Sequence, residues 1–148
     1  MSKKWKINGL SAHSSLSEAA NIILKLRLKN VIAEIKKYFK DNSPENLHRV
    51  RISIRRLRYN LESFFVCFDT EEYLTFYQAI EHLQDLTGEL RDLDVLIGNI
   101  MTHFGNNKKF QSLKIKIGNK RKEIFENLNL TLMKFLHSKY LKEFKKII

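Results

Sequence analysis

Apolar residues recur along this chain at the three-and-four spacing of amphipathic helices, in long stretches separated by short polar turns. Leu16, Ala20, Ile23, Leu24, Leu28, Val31, Ile35, Tyr38 and Phe39 form one such face and predict a helix to about Lys40. Ser15 or Ser17 can cap its start, and Ser15, with Glu18 three residues later, fits a capping box. The stretch DNSPEN, Asp41 to Asn46, breaks the pattern: Asp41 and Asn42 favour a turn, and Ser43 caps a helix whose first residue is Pro44. Taken at about 100° per residue, Val50, Ile54, Leu57, Leu61, Phe64, Phe65 and Phe68 then share one arc, which predicts a second helix to about Phe68. Asp69 or Thr70 caps a third, with Glu71 and Glu72 in the first turn, where the helix dipole favours acids. Tyr73, Phe76, Tyr77, Ile80, Leu83 and Leu86 are its inner face. His103 to Lys109 is the next turn, and a last helix runs from about Phe110 towards Ile147, loosened at Gly118 and Asn119.

Four long helices joined by turns of a few residues must alternate in direction, because a short connection cannot return a helix to its own start. The expected fold is therefore all-α, an up-down-up-down four-helix bundle with long helices. Residues 1–14 lack periodicity and are expected to form a partly ordered arm, with 15–148 a single helical bundle. Composition agrees: 43 % of the residues are hydrophobic, which excludes a disordered chain, and five glycines and one proline leave long stretches unbroken. Cys67 stands alone, so no internal disulfide is available; it lies on the apolar arc and is expected to be buried. No apolar run has the length of a membrane span and the first residues hold no signal-peptide core, so a cytoplasmic protein is expected.

Charge changes the picture. Lysine and arginine number 27 against 16 acids, a formal charge of +11, so a partner of opposite sign is expected. The arginines of the second helix are of two kinds. Arg51, Arg55 and Arg58, with His48 and Glu62, form a strip bordering the apolar arc, whereas Arg49 and Arg56 point to the far side. A guanidinium at the edge of a core is costly unless an anion meets it. Glu62, one turn from Arg58, is the obvious local partner, and the rest of the ladder is open to an external polyanion. Further along, Gly88 sits mid-helix, where it costs about 1 kcal/mol relative to alanine, which suggests a close approach by another backbone or a ligand. Arg91, Asp92 and Asp94 follow it; Asp92 or Asp94 is expected to hold arginines of the second helix in position. Arg121 interrupts the apolar seam of the last helix, with Lys114 two turns before it, and Arg27 lies at the edge of the first helix's face as a snorkelling side chain.

The stretch LHRVRISIRRLRYNLESF resembles the signature helix of the conserved-histidine α-helical domain, the CHAD family. GELRDLDVLIGNI, from Gly88 to Ile100, is similar to that family's second motif, and SKYLKEF, from Ser138 to Phe144, to the end of its fourth helix. The resemblance covers about Leu16 to Phe144 and implies an all-helical module that binds inorganic polyphosphate in a basic cavity without catalytic activity. Carried onto this chain, the binding residues are His48, Arg51, Arg55, Arg58, Arg91 and Arg121, with Arg27, Arg56 and Lys114 secondary and Glu62, Asp92 and Asp94 supporting them. Such domains usually contain two related four-helix halves, and this chain holds one. A homodimer that sets two identical ladders face to face is therefore expected.

Enzyme chemistry finds no foothold. The five histidines are spread one to a segment and none makes H-x-x-x-H or H-E-x-x-H with another; there is no glycine-rich phosphate loop with lysine and no serine elbow. Asp92 and Asp94 alone are a weak metal signal, so neither metal nor cofactor is expected. Two functions remain: a module binding polyphosphate or a similar polyanion through the ladder, or a nucleic-acid-binding or helical scaffold protein using a diffuse basic surface that includes Arg49, Arg56, Lys36 and Lys37.

Overall fold

Ser15, Ser43, Thr70 and Ser138 each accept a hydrogen bond from the backbone N–H three residues further on, and each begins a helix. The computed structural model describes residues 6–105 and 107–148. Its helices are α1 (Leu16–Lys40), α2 (Pro44–Ser63), α3 (Glu71–Phe104), α4 (Lys108–Leu136) and α5 (Lys139–Ile147). There is no strand among the described residues. The capping box of α1 is complete, since the Ser15 N–H donates to Glu18 Oε2 at 2.9 Å. Of the expected arm, residues 1–5 lie outside the described residues, and 6–14 hold two short turns, one of them using Gly9 at φ +86°.

α1 packs on α2, α2 on α3, and α3 on both α4 and α5. Near the top of the bundle the Tyr38 hydroxyl donates to Asn129 Oδ1 at 2.7 Å, which ties α1 to α4. The apolar faces meet in one core that includes Leu24, Val31, Ile54, Leu57, Ile80 and Leu128. At its lower end the Tyr73 hydroxyl donates to the Leu61 carbonyl at 2.6 Å while Phe68 stacks on the Tyr73 ring, centroids 4.7 Å apart.

Three boundaries differ from the expectation, each for a local reason. α2 stops at Ser63 rather than Phe68, and Phe65–Cys67 form a tight 3₁₀ turn. Asn60 and Ser63 turn their side chains back onto the carbonyls of Arg56 and Tyr59, a contact that loosens a helix end. Phe64 and Phe68 still reach the core, but Phe65 is 51 % exposed and Cys67 only half-buried, contrary to the helical arc. The last helix runs through Gly118 without loosening and breaks instead at His137, where Ser138 starts α5. That break folds Leu141, Phe144 and Ile148 back onto the core, with Phe144 stacked on Phe76 at 3.8 Å. The bundle thus has five α-helices among the described residues. At the ends of α1, Leu16 and Phe39 are exposed rather than inward.

The helices are also unequal in length. At 1.5 Å per residue, the 34 residues of α3 span about 51 Å and the 20 of α2 about 30 Å. The distal parts of α3 and α4 therefore project beyond the α1–α2 turn as a two-helix arm. Between Arg91 and Lys116 only Ile100 is buried among the described residues, and Phe104 stacks on Phe110 at 4.0 Å near the tip.

Candidate functional site

The cleft that matters lies where the α1–α2 turn meets the base of this arm. Ser43 and Pro44 fix the start of α2 and so point His48 and Arg51, one turn inside it, towards α3 and α4. Arg91 arrives from α3 and Arg121 from α4, closing a cavity of about 350 Å³ whose apolar walls are Leu47 and Phe125. Four of the six expected binding residues thus converge from three helices.

Their electrostatics are uneven. Arg121 is half-buried, bonds to Asp94 and lies over the Phe125 ring, its guanidinium carbon 5.7 Å from the centroid. Asp94 is therefore held by α4 rather than by an arginine of α2. Glu45, the other acid at the cleft, is engaged by Arg49 at 2.8 Å. Arg51 and Arg91 have no carboxylate within ion-pair distance among the described residues. Two uncompensated guanidinium groups facing one half-enclosed space have the chemistry to hold an anion.

Arg51 also borders a second depression of about 500 Å³ between α2 and α3, where Arg55 faces Asp85, Glu89 and Asp92. Arg55 donates to the Tyr59 hydroxyl at 3.2 Å and lies over that ring at 5.4 Å. Three acids on the α3 wall outnumber Arg51 and Arg55 and leave this stretch net negative, a feature hidden in sequence because the acids lie thirty or more residues further on than Arg55. Arg58 is more fully compensated: it reaches Glu62 at 3.0 Å, as expected, and Glu81 of α3 at 3.1 Å. The Tyr77 hydroxyl donates to the same Glu62 oxygen at 2.9 Å. Its phenol is pushed above the usual value, first by burial and then by that carboxylate, so it stays protonated and keeps donating. The strip of arginines is thus divided along its length.

Gly88 lines the α2–α3 depression, and a Cβ built there would meet nothing within 4 Å, so no neighbouring backbone explains it. Arg27 and Arg56 lie in a separate cavity between α1 and α2, and Lys114 is on the arm beyond Arg121. Thr87, which sequence reasoning missed, is buried at the floor of the cleft with its hydroxyl on the Gln84 carbonyl. Among the described residues no three histidine, cysteine, aspartate or glutamate side chains stand close enough to hold a metal ion. No described helix is long and apolar enough to cross a membrane.

Fold and cleft together define an all-helical bundle that presents unpaired arginines from neighbouring helices to one half-enclosed space. The CHAD domain model matches residues 4–147, nearly the whole chain. The chain belongs to the CHAD domain family. No curated protein and no solved structure matches it.

Proposed function

We propose that this chain is a non-catalytic module that binds inorganic polyphosphate, with the cleft at the base of the arm as its principal site. CHAD domains are generally non-catalytic and are associated with polyphosphate. The observation that carries the reading is the convergence of Arg51 and Arg91, both without carboxylate partners among the described residues, beside His48 and the Asp94-braced Arg121. A chain of phosphates suits such a site because each guanidinium fork takes two oxygens, and successive phosphates run between Arg51, Arg91 and Arg121. Glu62 and Asp94 hold Arg58 and Arg121 in place, and Asp92 sets the acidic limit of the path.

Arg51→Ala and Arg91→Ala are each expected to weaken polyphosphate binding by about 1.5–3 kcal/mol, the range for a lost hydrogen bond to a charged group. Arg49→Ala removes the same charge from an exposed pair with Glu45 and is expected to cost far less. Isotherms on folded variants check this, with salt held constant because counterion release makes any polyanion complex salt-dependent. Equal losses for Arg49→Ala and Arg51→Ala would favour the nucleic-acid or scaffold reading, in which charge acts diffusely. Displacement of single-stranded nucleic acid by polyphosphate of equal charge separates the two directly.

The polyphosphate-bound form is proposed to be a homodimer that joins through the arm. Val95, Leu96, Met101, Phe104, Leu113 and Ile115 there are each at least 43 % exposed, a density of bare apolar side chains that a lone two-helix hairpin cannot cover. A second arm completes a four-helix cross-section and brings two clefts near one another.

A further inference from the structure

The surroundings of the cleft differ from one side to the other. Down the α2–α3 groove, beyond Arg51, the α3 wall presents Asp85, Glu89 and Asp92, all exposed. The α1–α2 turn adds Asp41 and Glu45. Up the arm the sign reverses: no aspartate or glutamate lies between Asp94 and Glu123 in the sequence, while α4 brings Lys108, Lys109, Lys114 and Lys116. Lys114 is the one in line with the cleft, since it stands seven residues, or two turns, above Arg121 on the same face of α4, roughly 10 Å along the helix. It has no carboxylate within ion-pair distance among the described residues.

A long polyanion settles where it meets positive charge along its length and avoids fixed charge of its own sign. The approach from the arm, past Lys114 to Arg121 and Arg91, meets that condition, and it stops at Arg51, because the next phosphates would face three carboxylates. A chain end fits such a blind path. An interior stretch needs two ways out, and doubling back along the arm would set phosphate against phosphate. The end of a chain also carries the most charge, about −1.5 to −2 at pH 7 for a phosphate with a single ester-like link, and so gains most from two free guanidinium groups. We infer that the cleft grips the end of a linear polyphosphate and not its interior, with the last phosphate between Arg51 and Arg91 and the chain leaving along the arm. The inference rests on the polyphosphate reading of the cleft and adds which part of the polymer is recognised.

The test counts proteins per polymer. The full chain is titrated by calorimetry, at physiological salt, into linear polyphosphates of a short and a long defined length. The expected saturating ratio is one protein per polymer end, the same at both lengths. A ratio that rises with length overturns the inference and leaves the polyphosphate reading standing, whereas no binding at either length overturns both. The triple variant Asp85→Asn, Glu89→Gln, Asp92→Asn opens the closed side with exposed substitutions that keep the fold, and is expected to raise the ratio for the long polymer above that of the unaltered chain; an unchanged ratio shows that these acids are not the stop. Lys114→Ala is expected to weaken the long polymer a few-fold and to leave pyrophosphate, too short to reach from Arg51 to Lys114, unchanged. A loss for both ligands, or for neither, overturns the exit along the arm.

Discussion

Arg51 and Arg58 are seven residues apart on the same edge of one helix, and the structure gives them opposite surroundings. Arg51 faces the open cleft, while Arg58 is satisfied by Glu62 and Glu81. Arg58→Ala is therefore expected to weaken polyphosphate less than Arg51→Ala. It also lowers stability by no more than about 1 kcal/mol, because the pairs it breaks are partly exposed; binding and denaturant titrations on the same variant check both. A second consequence at this scale concerns pH. Burial pushes the Tyr73 phenol well above its ordinary value of 10.0. A group raised in the folded state gives its full stabilisation below the unfolded value and loses it as pH rises towards the folded one. Stability should thus fall above about pH 10, and urea midpoints between pH 9 and 11.5 should fall less steeply in Tyr73→Phe. Some decline remains in that variant, since burial also raises Tyr38 and Tyr77.

Among the elements, α5 shows how a nine-residue helix earns its place. It is too short to be stable alone, and its hold on the bundle is Phe144 against Phe76 and Leu141 in the core. Phe144→Ala is expected to cost about 3–5 kcal/mol, as for other enclosed aromatics. Ser138→Ala removes the cap bond from the Leu141 N–H and the hydroxyl's own bond to the Phe135 carbonyl, and should cost about 1 kcal/mol. Thermal unfolding followed by circular dichroism orders the two. The helix starts were legible because Ser15, Ser43 and Thr70 cap by local chemistry. The ends were less so: a continuous apolar seam reads alike whether the helix continues past His137 or turns back there. Phe64 to Phe68 misled for the same reason, since the 3₁₀ turn, like an α-helix, still brings Phe64 and Phe68 to the core.

For the whole molecule, the overhang of α3 and α4 is the surface through which the proposed dimer joins. The proposed dimer predicts a sedimentation mass of twice the chain at micromolar concentration with polyphosphate present, and a monomer for the double variant Met101→Glu, Phe104→Glu. A monomeric mass for the unaltered chain under those conditions sinks the dimer. The arm carries Lys108, Lys109, Lys114 and Lys116, so two arms repel in the absence of an anion. High salt and polyphosphate should both favour association, in contrast to polyphosphate binding itself, which salt weakens.

Helical class, the order of the long elements, the capped starts and the basic character of α2 were decided by the sequence, because periodicity, capping and charge act within a few residues of one another. The family likeness could be read there too, from His48 and the arginines after it. Which arginines stay uncompensated was decided only by tertiary structure. Glu81, Asp85, Glu89 and Asp94 come from other positions along the chain, and whether each meets an arginine depends on the register between helices.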